Sequence, residues 1–230
     1  MSTKDHILIN GFKHILFEQE VYSPEKILLK SKSFYQKMDK RRSVREFSSK
    51  PVSKTIIENL IKTASTAPSG AHKQPWTFCA VSNPEIKSEI RKAAELEEKE
   101  SYKSRMSDSW LKDLAHIGTD WRKSFLETAP WLIIVFKRAF EYDEKGEKLN
   151  NYYVNESVGL VSGMLITAIH NAGLVTLTHT PSPMRFLSKI LNRPDNERPF
   201  LLLPVGYAKD PTYVPDLKRK NINEIADFYE

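Results

Sequence analysis

Between Tyr153 and Asn171 the chain reads YVNESVGLVSGMLITAIHN, with Glu156 as its one formally charged residue. Apolar side chains recur on nearly every face of a 3.6-residue turn, so this segment predicts a long helix buried on most sides. Gly159, Ser162, Gly163 and Ala168 are small enough to let another helix approach closely, which makes it either the centre of the fold or a contact between subunits.

Short apolar runs surround that helix. Trp76 to Val81, Trp131 to Phe136, the stretch around Leu174 to Thr178, and Phe200 to Val205 have the length of buried strands. Residues 24–39 read as a helix, and Val52-Ser53 followed by Ile56, Ile57, Leu60 and Ile61 reads as a capped helix ending near Thr66. TAPSGAHKQP (66–75) has the Pro, Ser and Gly of an ordered loop. Asn83-Pro84 caps a further helix, so highly charged through Tyr102 that it suits a solvated face or a lid better than a core element.

Helices mixed with strands, without a clean βαβ rhythm, give an α+β class: a central mixed sheet flanked by helices. With 230 residues, 40% of them hydrophobic, the chain suits one domain, 1–230. Within it, 1–39 is an N-terminal helical extension, 84–128 a helical lid region and 211–230 an irregular, charged C-terminal extension.

Several functions are excluded by what is missing. No apolar run is long enough for a membrane span, and MSTKDHILINGFKHILFEQE lacks the pattern of a signal peptide, so a cytoplasmic protein is expected. The lone Cys79, inside WTFCAV, reads as a small buried hydrophobe. A net charge of +6 suits anionic small molecules better than nucleic acid, because 35 basic residues are interspersed with 29 acidic ones and form no tract interleaved with aromatics. GxGxxG, GxxxxGK[ST] and HExxH are absent, GLVSG lies inside the helix, and the histidines lack ligand spacing, so no dinucleotide fold, P-loop, hydrolase elbow or metal is expected.

Arg41-Arg42-Ser43-Val44-Arg45 is the first cluster with chemistry in it. In an extended segment Arg41, Ser43 and Arg45 share a face, and two guanidinium groups with a hydroxyl suit a phosphate. Joined to APSGAHKQPW (67–76), TLTHTP (176–181) and PDLKRK (215–220), RRSVR strongly resembles the flavin-binding motifs of the nitroreductase superfamily, from about Lys40 to Lys220. SGAH, LPVGY and VPDLKRK look like the iodotyrosine deiodinase family within it.

The resemblance implies FMN as cofactor. Arg41, Arg42, Ser43 and Arg219 would hold its phosphate end, with Val44 beside them and Arg45 toward the pyrimidine edge, where a guanidinium stabilises reduced flavin. Pro68, Ser69 and Gly70 would approach the ring, as would Thr178, His179 and Thr180, with the Thr180 hydroxyl near N5 as the catalytic contact. Glu98, Tyr102 and Lys123, which by charge alone are ordinary solvated residues, match the family's clamp for an amino-acid zwitterion, and the Ala71 N–H would receive the phenolate.

The activity so implied is reductive dehalogenation of halotyrosine, in an intertwined homodimer whose FMN sites are built by both chains. NAD(P)H or an electron-donating reductase would recharge the flavin. The polar N-terminal stretch implies a form without the membrane anchor of some members. Two other readings stay open: an NAD(P)H-dependent nitroreductase or quinone reductase, and a non-catalytic flavin- or halotyrosine-binding protein.

Overall fold

The computed structural model describes residues 6–230. They fall into two compact units that divide between Lys40 and Arg41. The first holds a hairpin of β1 (His6–Ile9) and β2 (Phe12–Ile15), then α1 (Pro24–Asp39), capped by the Ser23 side chain. The sequence reading had only helix here. The hairpin's signal was Asn10-Gly11, both at positive φ (50° and 80°), the turn chemistry that reverses a strand most tightly. None of the residues of α1 is buried.

The second unit is built in three layers. After α2 (Lys54–Ala64), β3 (Trp76–Val81), α3 (Pro84–Glu100), α4 (Asp108–Ala115), α5 (Phe125–Thr128) and β4 (Trp131–Arg138) comes a small hairpin of β5 (Phe140–Tyr142) and β6 (Lys148–Asn150). Then follow α6 (Val154–Asn171), β7 (Val175–Thr176), α7 (Arg185–Ile190) and β8 (Glu197–Gly206). The central sheet has the order β3-β4-β8-β7, and its ladders are antiparallel. Its parallel component is a single bridge between Ser43 and Thr176.

Both faces of this sheet are covered, which explains why its strands are apolar runs instead of alternating ones. Ile133 and Val135 of β4 and Leu201, Leu203 and Val205 of β8 pack toward α2 and α6. Leu132, Ile134, Phe136 and Leu202 pack the other way, with Ile90, Ala94, Leu126 and Leu187 from α3, α5 and α7. Each of the Val, Leu, Ile and Phe side chains, fully buried, contributes about 1.5–3 kcal/mol.

Two expectations are refined here. The charged α3 is half a core element: Ile90 and Ala94 are 0% exposed, a narrow apolar stripe that the mean charge concealed. The buried Lys87 ammonium is satisfied by the carbonyls of Glu127 and Ala129 at 2.9 and 2.8 Å. On α6, Ser162 and Ala168 face the core, while Gly159, Leu160 and Gly163 are exposed. Cys79 is half-buried against the second core cluster. Among the described residues no helix is long and apolar enough to cross a membrane.

Candidate functional site

Glu98 lies near the end of α3, and the next turn, Ser101–Arg105, widens to a π-helix closed by Met106 N–H donating to the Ser101 carbonyl at 3.0 Å. Such widened turns are frequent at functional sites. Spaced four apart, Glu98 and Tyr102 share a face and line a cavity of about 330 Å³.

Lys123 reaches the same cavity from the segment ahead of α5. Its backbone N–H donates to the Glu95 carboxylate at 2.7 Å, and its ammonium donates to Thr119 Oγ1 at 3.3 Å and to the Asp120 carbonyl. The Lys123 ammonium is 3.5 Å from Glu98 Oε2. Burial raises the Glu98 carboxyl above its usual range and lowers the Lys123 ammonium, and each group's charge partly offsets the other's shift. The Tyr102 hydroxyl donates to the Thr119 carbonyl at 3.3 Å, and burial, then the Glu98 charge, pushes its phenol up.

The segment after β7 supplies the opposite wall. His179 is stitched to β8 by two backbone bonds with Leu202, at 2.9 and 3.1 Å. His179 is buried, edge-on to Phe125 (centroids 5.8 Å apart), with Nδ1 4.0 Å from Glu98 Oε1. Burial, together with the charges of Lys123 and Arg45, depresses its pKa to about 3, so the ring is neutral. Thr178 and Thr180 are exposed and line the cavity.

A second cavity of about 280 Å³ is lined by Arg41, Arg42, Ser43, Arg45, Lys218 and Arg219, with Ile117, Pro215 and Leu217. Arg42 donates to the Pro215 carbonyl, and Arg219 to the Arg41 carbonyl at 2.9 Å, so the tail folds back on the RRSVR segment. Burial first, then the charges of Arg219 and Arg42, lowers Arg41 from the usual guanidinium range. Its lining includes no carboxylate, so a bound anion is what would relieve this crowding. Val44 points into the core and its N–H donates to the Thr176 carbonyl at 3.2 Å, which fixes Ser43 and Arg45 on either side of it. Arg45 and Ile117 line both cavities.

Pro68, Ser69, Gly70 and Ala71 line neither cavity. They precede β3, an edge strand that lies three strand spacings, roughly 14 Å, from β7 at the opposite edge. Ser69 Oγ accepts from the Gln74 N–H at 2.9 Å, and Ala71, His72 and Gln74 all adopt positive φ, a locally strained loop. Gly70 is required by close packing: a Cβ there would lie 3.0 Å from the Tyr152 carbonyl oxygen.

The structure thus gathers Glu98, Tyr102, Lys123, Thr178, His179 and Thr180 at one cavity and Arg41, Arg42, Ser43 and Arg219 at the next, with Arg45 between them. Sequence reasoning missed Lys218 on the basic side and Arg105, Trp110, Leu114 and Phe125 on the other. Lys218 was legible as the cation beside Arg219. Trp110 and Leu114 had a signal too, an i, i+4 apolar pair behind the Ser107 cap, but nothing local tied that helix to a site.

A family model described as the nitroreductase family matches residues 38–207. The chain is 61% identical over 208 residues to an iodotyrosine deiodinase of Haliscomenobacter hydrossis, covering 90% of this chain and 94% of the relative. The chain belongs to the nitroreductase family, in its iodotyrosine deiodinase group. Iodotyrosine deiodinase 1 of Homo sapiens is 44% identical over 216 residues, 93% of this chain and 74% of the relative. A crystal structure of oxidized iodotyrosine deiodinase bound to FMN and 3-iodo-L-tyrosine superposes with a TM-score of 0.73 at 32% identity, covering 86% of this chain and 99% of that one. A nitroreductase-like protein from Streptococcus mutans shares the fold, with a TM-score of 0.65 at 20% identity over 87% of this chain and 100% of that one. The nitroreductase-family α+β architecture is therefore shared at low sequence identity, and fold alone does not fix the substrate.

Proposed function

We propose that this protein is a flavin-dependent oxidoreductase that reductively removes halogen from halogenated tyrosine, taking 3-iodo-L-tyrosine to L-tyrosine and iodide. The observation that carries this reading is the enclosed trio of Glu98, Lys123 and Tyr102. A zwitterion needs an acid for its ammonium and a cation with a hydroxyl donor for its carboxylate, and nitroarenes or quinones need neither. The relatives named iodotyrosine deiodinase support the same substrate class.

FMN fits the two joined cavities. Arg41, Arg42, Ser43, Lys218 and Arg219 form an acid-free donor set for a phosphate monoester, and Arg45 leads from there into the cavity that Thr178 and Thr180 line. Bound FMN, once reduced, would supply the two electrons that with one proton replace a carbon–iodine bond by carbon–hydrogen and release iodide. The residues of the chain do the rest. Glu98, Tyr102 and Lys123 would orient the amino acid, the Thr180 hydroxyl in the same cavity would be available to the flavin, and Trp110 and Leu114 on the lid would exclude water. NAD(P)H or a reductase recharges the cofactor in a reducing, cytoplasmic compartment.

The working unit in this reading is a homodimer. Pro68 to Ala71 sit on the sheet edge away from the clamp of their own chain, so a second copy would supply the Ala71 N–H for the phenolate. The exposed strip Gly159, Leu160 and Gly163 on α6 and the exposed Leu217, Ile222 and Phe228 of the tail offer apolar surface for such a partner.

The test is anaerobic. The protein's flavin is reduced, 3-iodo-L-tyrosine is added, and flavin reoxidation is followed together with tyrosine formation. Stoichiometric tyrosine is the expected result. A yellow protein that stays reduced would sink the substrate assignment, and a colourless protein would sink the cofactor as well.

A further inference from the structure

We infer that His179 is a positioning residue for Glu98, holding that carboxylate toward the substrate ammonium from the sheet side of the cavity. The inference rests on the function proposed above and deepens it. Glu98 stands in the last turn of α3, just ahead of the π-turn, and its carboxylate lies between two partners. One oxygen, Oε2, faces Lys123 at 3.5 Å; the other, Oε1, faces His179 Nδ1 at 4.0 Å. His179 is the rigid member of that pair, tied to β8 through both bonds with Leu202 and braced edge-on by Phe125.

The ring's surroundings point the same way. Lys123 from the segment before α5 and Arg45 from the RRSVR segment both disfavour an imidazolium, and the Glu98 charge also reaches Tyr102. A neutral ring offers Glu98 an N–H without adding a third cation that would compete with the incoming ammonium. Among the described residues His179 Nε2 is fully buried with no hydrogen-bond partner. A side chain serving only to fill this space would be apolar and would orphan no nitrogen, so the ring's polar role lies at Nδ1.

At 4.0 Å the contact is longer than a hydrogen bond. It closes when the substrate carboxylate draws Lys123 away and leaves Glu98 Oε1 and Oε2 to His179 and the ammonium.

The experiment compares two ligands by calorimetry on the oxidised FMN-bound protein: 3-iodo-L-tyrosine and its deaminated analogue, 3-(4-hydroxy-3-iodophenyl)propionate, which lacks the ammonium. His179→Leu should weaken the amino acid about tenfold, the scale of one hydrogen bond to a charged group, and the analogue much less. His179→Asn, whose amide nitrogen overlies Nδ1, should restore the discrimination, and His179→Gln, whose amide overlies Nε2, should not. Equal loss on both ligands, no loss on either, or rescue by Gln instead of Asn overturns the inference. If the Leu variant does not hold FMN, the Asn and Gln pair decides alone. Wild-type protein that fails to favour the amino acid over the analogue overturns the clamp itself, a different failure from that of His179.

Discussion

Glu98 and Lys123 face each other at 3.5 Å with side chains only 12% and 5% exposed, an ion pair that water barely reaches. Burying two charges costs several kcal/mol each, and their mutual attraction returns that only in good geometry. A ligand carrying both an ammonium and a carboxylate gives each of them a second partner, so the pair is poised for a zwitterion.

Glu98→Gln removes the charge and keeps the shape. It should weaken 3-iodo-L-tyrosine binding by about 10- to 100-fold, the range of about 1.5–3 kcal/mol for one hydrogen bond to a charged group. Turnover of a nitroarene, which has no ammonium, should fall far less. Calorimetry beside a nitroarene assay checks this, and parallel losses would show that Glu98 supports the lid and not the ligand.

The same burial sets a pH window. Binding needs Glu98 ionised and Lys123 protonated. Glu98 is raised, so affinity falls on acidification at a higher pH than for an ordinary carboxylate; Lys123 is lowered, so affinity falls on alkalinisation at a lower pH than for an ordinary lysine. By linkage both shifts penalise the folded state near neutrality, Glu98's penalty easing as pH falls through its raised pKa and Lys123's as pH rises through its lowered one. Titrating wild type and Glu98→Gln across pH separates this from the ligand phenol, whose ionisation is common to both. An unchanged acid limb in the variant would be the contrary result.

Arg219 closes the basic cavity by its bond to the Arg41 carbonyl. Arg219→Ala should weaken FMN retention by roughly 10- to 100-fold, about one or two charge-assisted bonds, and make what retention is left less sensitive to salt, because one cation–phosphate contact is gone. Riboflavin, which has no phosphate, should bind wild type and variant alike. Dialysis with fluorescence of released flavin measures both, and equal weakening for the two flavins would place Arg219 elsewhere.

A two-chain site predicts complementation. Ala71→Pro cannot keep the φ of 48° that this position adopts, and Lys123→Ala removes the clamp cation, so each homodimer should be inactive. Unfolded together and refolded, random pairing makes half the dimers mixed, each with one intact site, so about a quarter of wild-type deiodination should return. Zero recovery from folded mixed dimers would mean that each site belongs to one chain.

Much of this fold was legible locally. Trp76 to Val81 forms a strand with the bounds read from its apolar run, and Ser53 and Asn83 cap their helices by accepting from Ile56 and Ile86. β8 runs three residues further back than Phe200, to Glu197, whose buried charge is satisfied by the Arg193 ion pair and the Thr77 bond at 2.6 Å. β7 is shorter than its apolar run, because beyond Thr176 only a single bridge, His179 to Leu202, continues the pairing.

The order and type of most elements could be read along the chain, since caps, turns and apolar periodicity act over a few residues, and the RRSVR, SGAH and PDLKRK motifs pointed to the chemistry. Tertiary structure alone decided which charges are dry and which share a cavity. Glu98 and Lys123 read as solvated charges on the chain, and become a buried pair because α3 and the segment before α5 meet over the sheet. Pro68 to Ala71 read as neighbours of the same site, and lie across the sheet from it because β3 and β7 are its two edges. Burial and edge position are properties of elements distant in sequence, and no local pattern encodes them.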